Sequence, residues 1–126
     1  MPFFSKLFGK GSAVDTADYY SIVFKATGVS VTLEVNGQQV MQDDYEFGGA
    51  GSRPVNEWTK KGANTLTVKL RPLKKGSDDF MKYELLFSKD RKGQMAGDGE
   101  KLWDFLWESD SSPEKLPLQK TFEFTI

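Results

Sequence analysis

A chain of 126 residues with 17 basic and 18 acidic side chains has the size of one domain and a net charge of −1. That balance leaves no electrostatic footprint for nucleic acid, so Lys60, Lys61, Lys69, Arg71, Lys74 and Lys75 read as solvated turn and face residues. With neither cysteine nor histidine present, disulfides, thiolate chemistry, Ser-His-Asp and Cys-His catalysis and the usual zinc sites are excluded.

The chain opens on MPFFSKLFGKGSA, an amphipathic or flexible segment over residues 1–13. Phe3, Phe4, Leu7 and Phe8 would share one helical face, with Lys6 and Lys10 opposite. The segment is too short and interrupted to span a membrane. It also lacks the apolar core and cleavage site of a signal peptide, which points to the cytoplasm, with export by another route left open. It either packs on the domain, stays unstructured, or lies on a membrane or partner through those four apolar residues.

From residue 14 to 126 the pattern is that of one domain, and after about residue 17 its period is two. Tyr20, Ile22, Phe24 and Ala26 fall on one face; Val29, Val31, Leu33 and Val35 follow, alternating with Ser30, Thr32 and Glu34. Alternation of this kind predicts strands with one face buried and one face wet. Asn36-Gly37 before QQVM predicts a tight hairpin, because both residues tolerate positive φ. Further strands are predicted in NTLTVKL (Leu66, Val68, Leu70), in FMKYELLF (Met81, Tyr83, Leu85, Phe87) and in KTFEFTI (Phe122, Phe124, Ile126). EKLWDFLWES fits a strand with Trp103, Phe105 and Trp107 on one face, or a helix with Leu102, Trp103, Leu106 and Trp107 together; the turn residues on either side favour the strand.

QDDYEFGGAGSRP and SKDRKGQMAGDGE read as long polar loops, and long loops on a rigid scaffold are where binding usually lives. Asp43, Asp44 and Glu46, then Asp98 and Glu100, then Glu108 and Asp110, offer carboxylates in loops, but none has the spacing of a defined calcium loop. No metal or other cofactor is expected. GGAG at 48–51 does not lead into a helix, as a phosphate-cradling loop requires. Ten Phe, four Tyr and three Trp give the chain a heavy aromatic share. Core packing is the commoner fate of such rings in strands, which bears on Trp103 and Trp107. Trp58 lies in the turn-like NEWTKKG. Tyr45, Phe47, Trp58, Trp103 and Trp107 are therefore the candidate ligand-binding residues, since exposed rings stack on sugars and anchor protein interfaces.

VSVTLEVNGQQV, a glycine-rich loop, and then RPVNEWTKKGANTLTVKL resemble the jelly-roll β-sandwich of the galactose-binding-like superfamily. A close parallel is the non-catalytic sandwich domain of family 2 glycoside hydrolases. There one strand ends in Asn-Gly, and a turn of the form Gly-x-Asn-x-Leu-x-Val opens the next. Asn36, Gly37, Gly62, Asn64, Leu66 and Val68 occupy those positions here. The resemblance covers about a third of the chain.

The expectation is one all-β domain: a single antiparallel, jelly-roll-like β-sandwich of seven or eight strands. Functionally it is expected to be a non-catalytic module for a carbohydrate or protein ligand, engaged by loops 42–54 and 89–101 and by exposed aromatics. The alternative is a structural or assembly subunit, monomeric or weakly self-associating, that docks through its N-terminal segment or an edge strand. A hydrolase built on carboxylates is the third reading.

Overall fold

A computed structural model describes residues 18–73 and 80–126. The segment expected over 1–13, with Phe3, Phe4, Leu7 and Phe8, lies outside the described residues, as do the domain start at 14 and Lys74 and Lys75. Eight strands run in chain order: β1 (Asp18–Thr27), β2 (Val29–Val35), β3 (Gln38–Tyr45), β4 (Gly49–Pro54), β5 (Ala63–Pro72), β6 (Lys82–Arg91), β7 (Glu100–Glu108) and β8 (Leu118–Thr125). One turn of 3-10 helix, Asn56–Trp58, stands between β4 and β5.

The strands form two four-stranded sheets. One has the order β4-β1-β6-β7 and is called the β1 sheet; the other, the β2 sheet, has the order β3-β2-β5-β8. Every neighbouring pair is antiparallel. The architecture is an all-β antiparallel sandwich of eight strands, and EKLWDFLWE is a strand. Among the described residues no helix is long and apolar enough to cross a membrane.

The period-two pattern explains the core. Tyr20, Ile22, Phe24 and Ala26 of β1, Val29, Val31, Leu33 and Val35 of β2, and Leu66, Val68 and Leu70 of β5 are all buried. Tyr83, Leu85 and Phe87 of β6, Trp107 of β7 and Phe124 of β8 join them in one cluster. Burying a Val, Leu or Ile fully contributes roughly 1.5–3 kcal/mol. Rings tie the sheets together: Phe87 meets Phe124 edge-on at 4.9 Å, and Tyr20 stacks on Phe124 at 5.9 Å.

Of the two stretches expected as loops, the first is largely strand, while the second keeps a loop between two strand ends. β3 runs on to Tyr45 and β4 occupies 49–54, while β6 reaches Arg91 and β7 starts at Glu100. Only 46–48 and 92–99 remain as loops. β4 lacks strand-forming residues because rings from other strands occupy the space its side chains would fill. A Cβ on Gly51 would come within 3.1 Å of the Phe24 ring, and one on Gly49 within 2.6 Å of the Tyr45 ring. The aromatic cover replaces the packing that glycine cannot supply.

The Asn-Gly hairpin forms as expected, with φ of 53° at Asn36 and 81° at Gly37. Its asparagine also holds the end of the sandwich. Asn36 Nδ2 donates to Trp58 O at 3.0 Å and to Asn64 Oδ1 at 2.8 Å, while Asn36 Oδ1 accepts from Thr65 N at 3.0 Å. Asn64, 2% exposed, accepts from Lys60 N at 2.9 Å and donates to Lys60 O at 2.8 Å and Gly62 O at 3.0 Å. Asn56 accepts from Tyr20 N at 2.7 Å and donates to Asp18 O at 3.1 Å. Gly62 and Ile126 exchange backbone hydrogen bonds beside this network.

Candidate functional site

The five aromatic candidates do not converge. Tyr45 is half-buried at the end of β3, its ring edge-on to Phe24 at 5.6 Å. Desolvation, and then the charge of Asp43, push its hydroxyl pKa up. Phe47 is 88% exposed in the turn after β3. Trp58 is half-buried in the 3-10 turn, with the Arg53 guanidinium 5.5 Å from its ring centroid. Trp103 and Trp107 point inward from β7, at the edge of the β1 sheet opposite β4. Trp103 is half-buried and stacks on Phe122 at 5.3 Å with an interplanar angle of 4°. Trp107 is 3% exposed, and its Nε1 donates to Glu114 O at 2.9 Å, so its ring belongs to the core. The acidic groups of the loops do not assemble either: among the described residues no three carboxylates come together as a ligand set.

The two outer faces of the sandwich differ in chemistry. On the β2 sheet the outward-facing positions are polar and paired. Lys69 Nζ meets Glu34 Oε2 at 2.9 Å, and Thr67 Oγ1 lies 3.0 Å from Thr121 Oγ1. Arg71 Nη2 and Gln42 Nε2 each donate to Ser30 Oγ at 3.1 Å, and Gln42 Nε2 also donates to Asp44 Oδ1 at 3.1 Å. Hydrogen bonds from Ser30, then from Gln42, hold the Asp44 carboxyl below its ordinary value.

The outer face of the β1 sheet carries aliphatic side chains instead. Val23 of β1 stands directly across from Leu86 of β6, and Leu106 of β7 stands across from Glu84, one step along β6. These residues, with Lys25 and Asp104, line an open groove of ≈ 470 Å³. Leu106 is 51% exposed, and Val23 and Leu86 are half-buried. Lys25 and Glu84 face each other across the ladder, and neither takes part in an ion pair among the described residues. At the far side Lys101 pairs with Asp104 at 3.0 Å. They meet because the β6–β7 register shifts between Phe87 and Ser88, setting Lys101 opposite Ser88 and Asp104 opposite Leu86.

One end of the groove is walled by the 92–99 loop. A Cβ on Gly97 would lie 3.2 Å from Val23 Cγ2 and 3.5 Å from Leu86 Cδ2. Asp90, only 2% exposed, holds the loop down: Oδ1 accepts from Gly99 N at 2.9 Å and Oδ2 from Gly97 N at 3.2 Å.

Sequence reasoning missed this groove. Its signal was Val23, Leu86 and Leu106, three apolar residues on the wet parity of otherwise alternating strands. Each alone is unremarkable on a protein surface; pairing register makes them neighbours. No protein-family model, curated protein or solved structure matches the chain.

Proposed function

We propose that the chain is a non-catalytic interaction module that binds a segment of a partner protein on the outer face of its β1 sheet. The observation that carries this reading is the asymmetry of the two outer faces: aliphatic and open on the β1 sheet, polar and internally paired on the β2 sheet. The groove volume falls within the range of roughly 300–1,000 Å³ typical of ligand sites. Its chemistry calls for an extended protein segment bearing one or two aliphatic side chains between charges of both signs. Val23, Leu86 and Leu106 would take the aliphatic groups; Lys25 and Glu84 would take the flanking charges.

A protein ligand is favoured over a carbohydrate because sugar platforms need open ring faces. Trp103 has Phe122 stacked against it, and Arg53 covers Trp58. Kinship with the galactose-binding-like jelly rolls belongs to the same proposal. It is supported by Asn36 and Asn64, which brace the two turns where the resemblance lies.

Selecting a random peptide display library against the full chain tests the reading. The selected peptides should carry aliphatic residues beside charges. They should lose at least tenfold in affinity for Leu86→Lys or Leu106→Lys, and hold their affinity for Thr121→Lys on the opposite face. Selection that returns no binders, or binders indifferent to both leucine substitutions, would refute it.

A further inference from the structure

The 92–99 loop is built differently from the rest of the molecule. Residues 91–96 are exposed, and Met95, the largest apolar residue of the loop, is 76% exposed. No apolar side chain of the loop anchors it in the core. What fixes its position is backbone: the Gly97 and Gly99 amides on the Asp90 carboxylate, and the close seat of Gly97 on Val23 and Leu86. Arg91 N at the end of β6 donates to Gln94 Oε1 at 2.7 Å and Gln94 N donates to Arg91 O at 2.9 Å, which hinges the loop on its own strand; Asp98 N donates to Met95 O at 3.1 Å within the loop. A segment hinged at one end and held elsewhere by the two Asp90 contacts opens at lower cost than the strands beside it.

The sheet surface next to the groove is also unusual. Ser21 of β1 and Ser88 of β6 stand directly across from each other, one step beyond Val23 and Leu86 on the same outer face. Ser21 is 4% exposed and Ser88 is fully buried; Ser30, the buried serine of the opposite outer face, is bonded to Gln42 and Arg71. The Ser88 Oγ makes no hydrogen bond within the protein. A buried hydroxyl without a partner keeps the full cost of its lost hydration.

We infer that residues 92–99 are a strap, latched by Asp90, that lifts as a unit to lengthen the groove onto Ser21 and Ser88. The latch is chemically specific. A buried carboxylate has two acceptor oxygens for two amides; an asparagine in its place turns one of them into a donor facing a donor. With the strap raised, a bound segment gains the row beyond Leu86, and the Ser88 hydroxyl becomes a hydrogen-bonding group for its backbone. This ligand role rests on the proposal that the groove is the binding surface.

Hydrogen exchange on the wild-type chain is the first test and needs no variant. The Gly97 and Gly99 amides should exchange at least tenfold faster than the paired amides of β6 and β7. Exchange of those two amides only at the rate of global unfolding would overturn the strap. Asp90→Asn should speed their exchange by a further tenfold or more while the unfolding midpoint followed by tryptophan fluorescence stays close to wild type. Gly99→Ala should do the same, because its Cβ would fall 2.1 Å from Lys89 O. Peptides selected on the wild type should bind Asp90→Asn several-fold more tightly, and Ser88→Ala should abolish that gain. Equal affinity for Asp90→Asn and wild type, with binding still lost on Leu86→Lys, would overturn the lid and leave the groove standing. Binding unaffected by Leu86→Lys would overturn the groove instead.

Discussion

At the asparagine-tied end of the sandwich the buried amide of Asn64 and the half-buried amide of Asn36 find partners, and those partners belong to the turns that define the fold. Along β6 and β7 the bookkeeping runs the other way: Leu86 and Leu106 keep apolar surface in the groove, and the Ser88 and Tyr83 hydroxyls of β6 are buried without protein partners. The first region removes unmet hydrogen-bonding capacity; the second retains it. Stability should therefore be concentrated at one end, and free binding capacity on the outer face of the β1 sheet.

The largest expected effect lies at the tied end. Asn64→Ala strips the buried hub of the network and leaves the part-buried backbone groups of Lys60 and Gly62 and the Asn36 side chain short of partners. Unsatisfied buried groups cost about 1–3 kcal/mol each, and the partial exposure of these three should hold the loss to about 3 kcal/mol. Urea denaturation would show it as a lower midpoint at unchanged slope. A loss below about 1 kcal/mol would mean that water replaces the amide freely, and the contrast between the two regions would collapse.

Leu86→Lys should behave in the opposite way. The half-buried leucine lines an open groove, so unfolding free energy should change by less than about 1 kcal/mol. Affinity for selected peptides should fall at least tenfold, which is about 1.4 kcal/mol. A variant that loses more stability than affinity would place Leu86 in the structural region.

Tyr83 carries an unmet hydroxyl into the core itself. Its ring stacks on Phe24 at 6.4 Å, but its hydroxyl is buried and unpaired. Desolvation, and secondarily Tyr45, push the hydroxyl pKa far above the ordinary value near 10. The sign follows directly. Below pH 10 both folded and unfolded chains keep the proton; above it the unfolded chain releases it while the folded chain does not. Stability is thus fully present below pH 10 and lost as pH rises toward the folded value, by up to about 1.4 kcal/mol per pH unit. Tyr83→Phe should remove that part of the alkaline slope and raise stability at pH 7 by up to about 1 kcal/mol. Alkaline titrations of both chains, followed by circular dichroism, would check it; identical slopes would show that the hydroxyl is hydrated in solution.

Much of the fold was legible in the sequence, and the reason is local. β1, β2, β5 and β8 face a core on one side and water on the other, so their alternation records both environments. Asn36-Gly37 records a backbone conformation. β4 was not legible, because its pairing depends on Phe24 and Tyr45 rings lying over Gly51 and Gly49. The groove was legible only in pieces. Val23, Leu86 and Leu106 look like lapses in alternation until the register sets them on adjacent strands. The Asp90 latch is only partly local, because the strap it holds rests on Val23 of β1. Aromatic identity was a poor guide for a related reason: Trp103 and Trp107 share a strand face, yet Trp103 stays half-buried against Phe122 and Trp107 is sealed beside Glu114.

Trp58 tests where the boundary between the two regions falls. Its carbonyl accepts from Asn36 and thus belongs to the tied end, while its ring is half-buried beneath Arg53. A cation over an exposed ring contributes about 0.5–1 kcal/mol. Arg53→Gln should therefore cost about 0.5 kcal/mol and expose the ring, shifting its emission to the red. In a chain where Trp103 and Trp107 are changed to Phe, that emission reports Trp58 alone. Selected peptides should not alter it, because Trp58 lies outside the groove. A peptide that shifts Trp58 emission in Arg53→Gln but not in the parent chain would mean that the arginine conceals a second aromatic contact surface, and the tied end would then have to be counted among the binding regions.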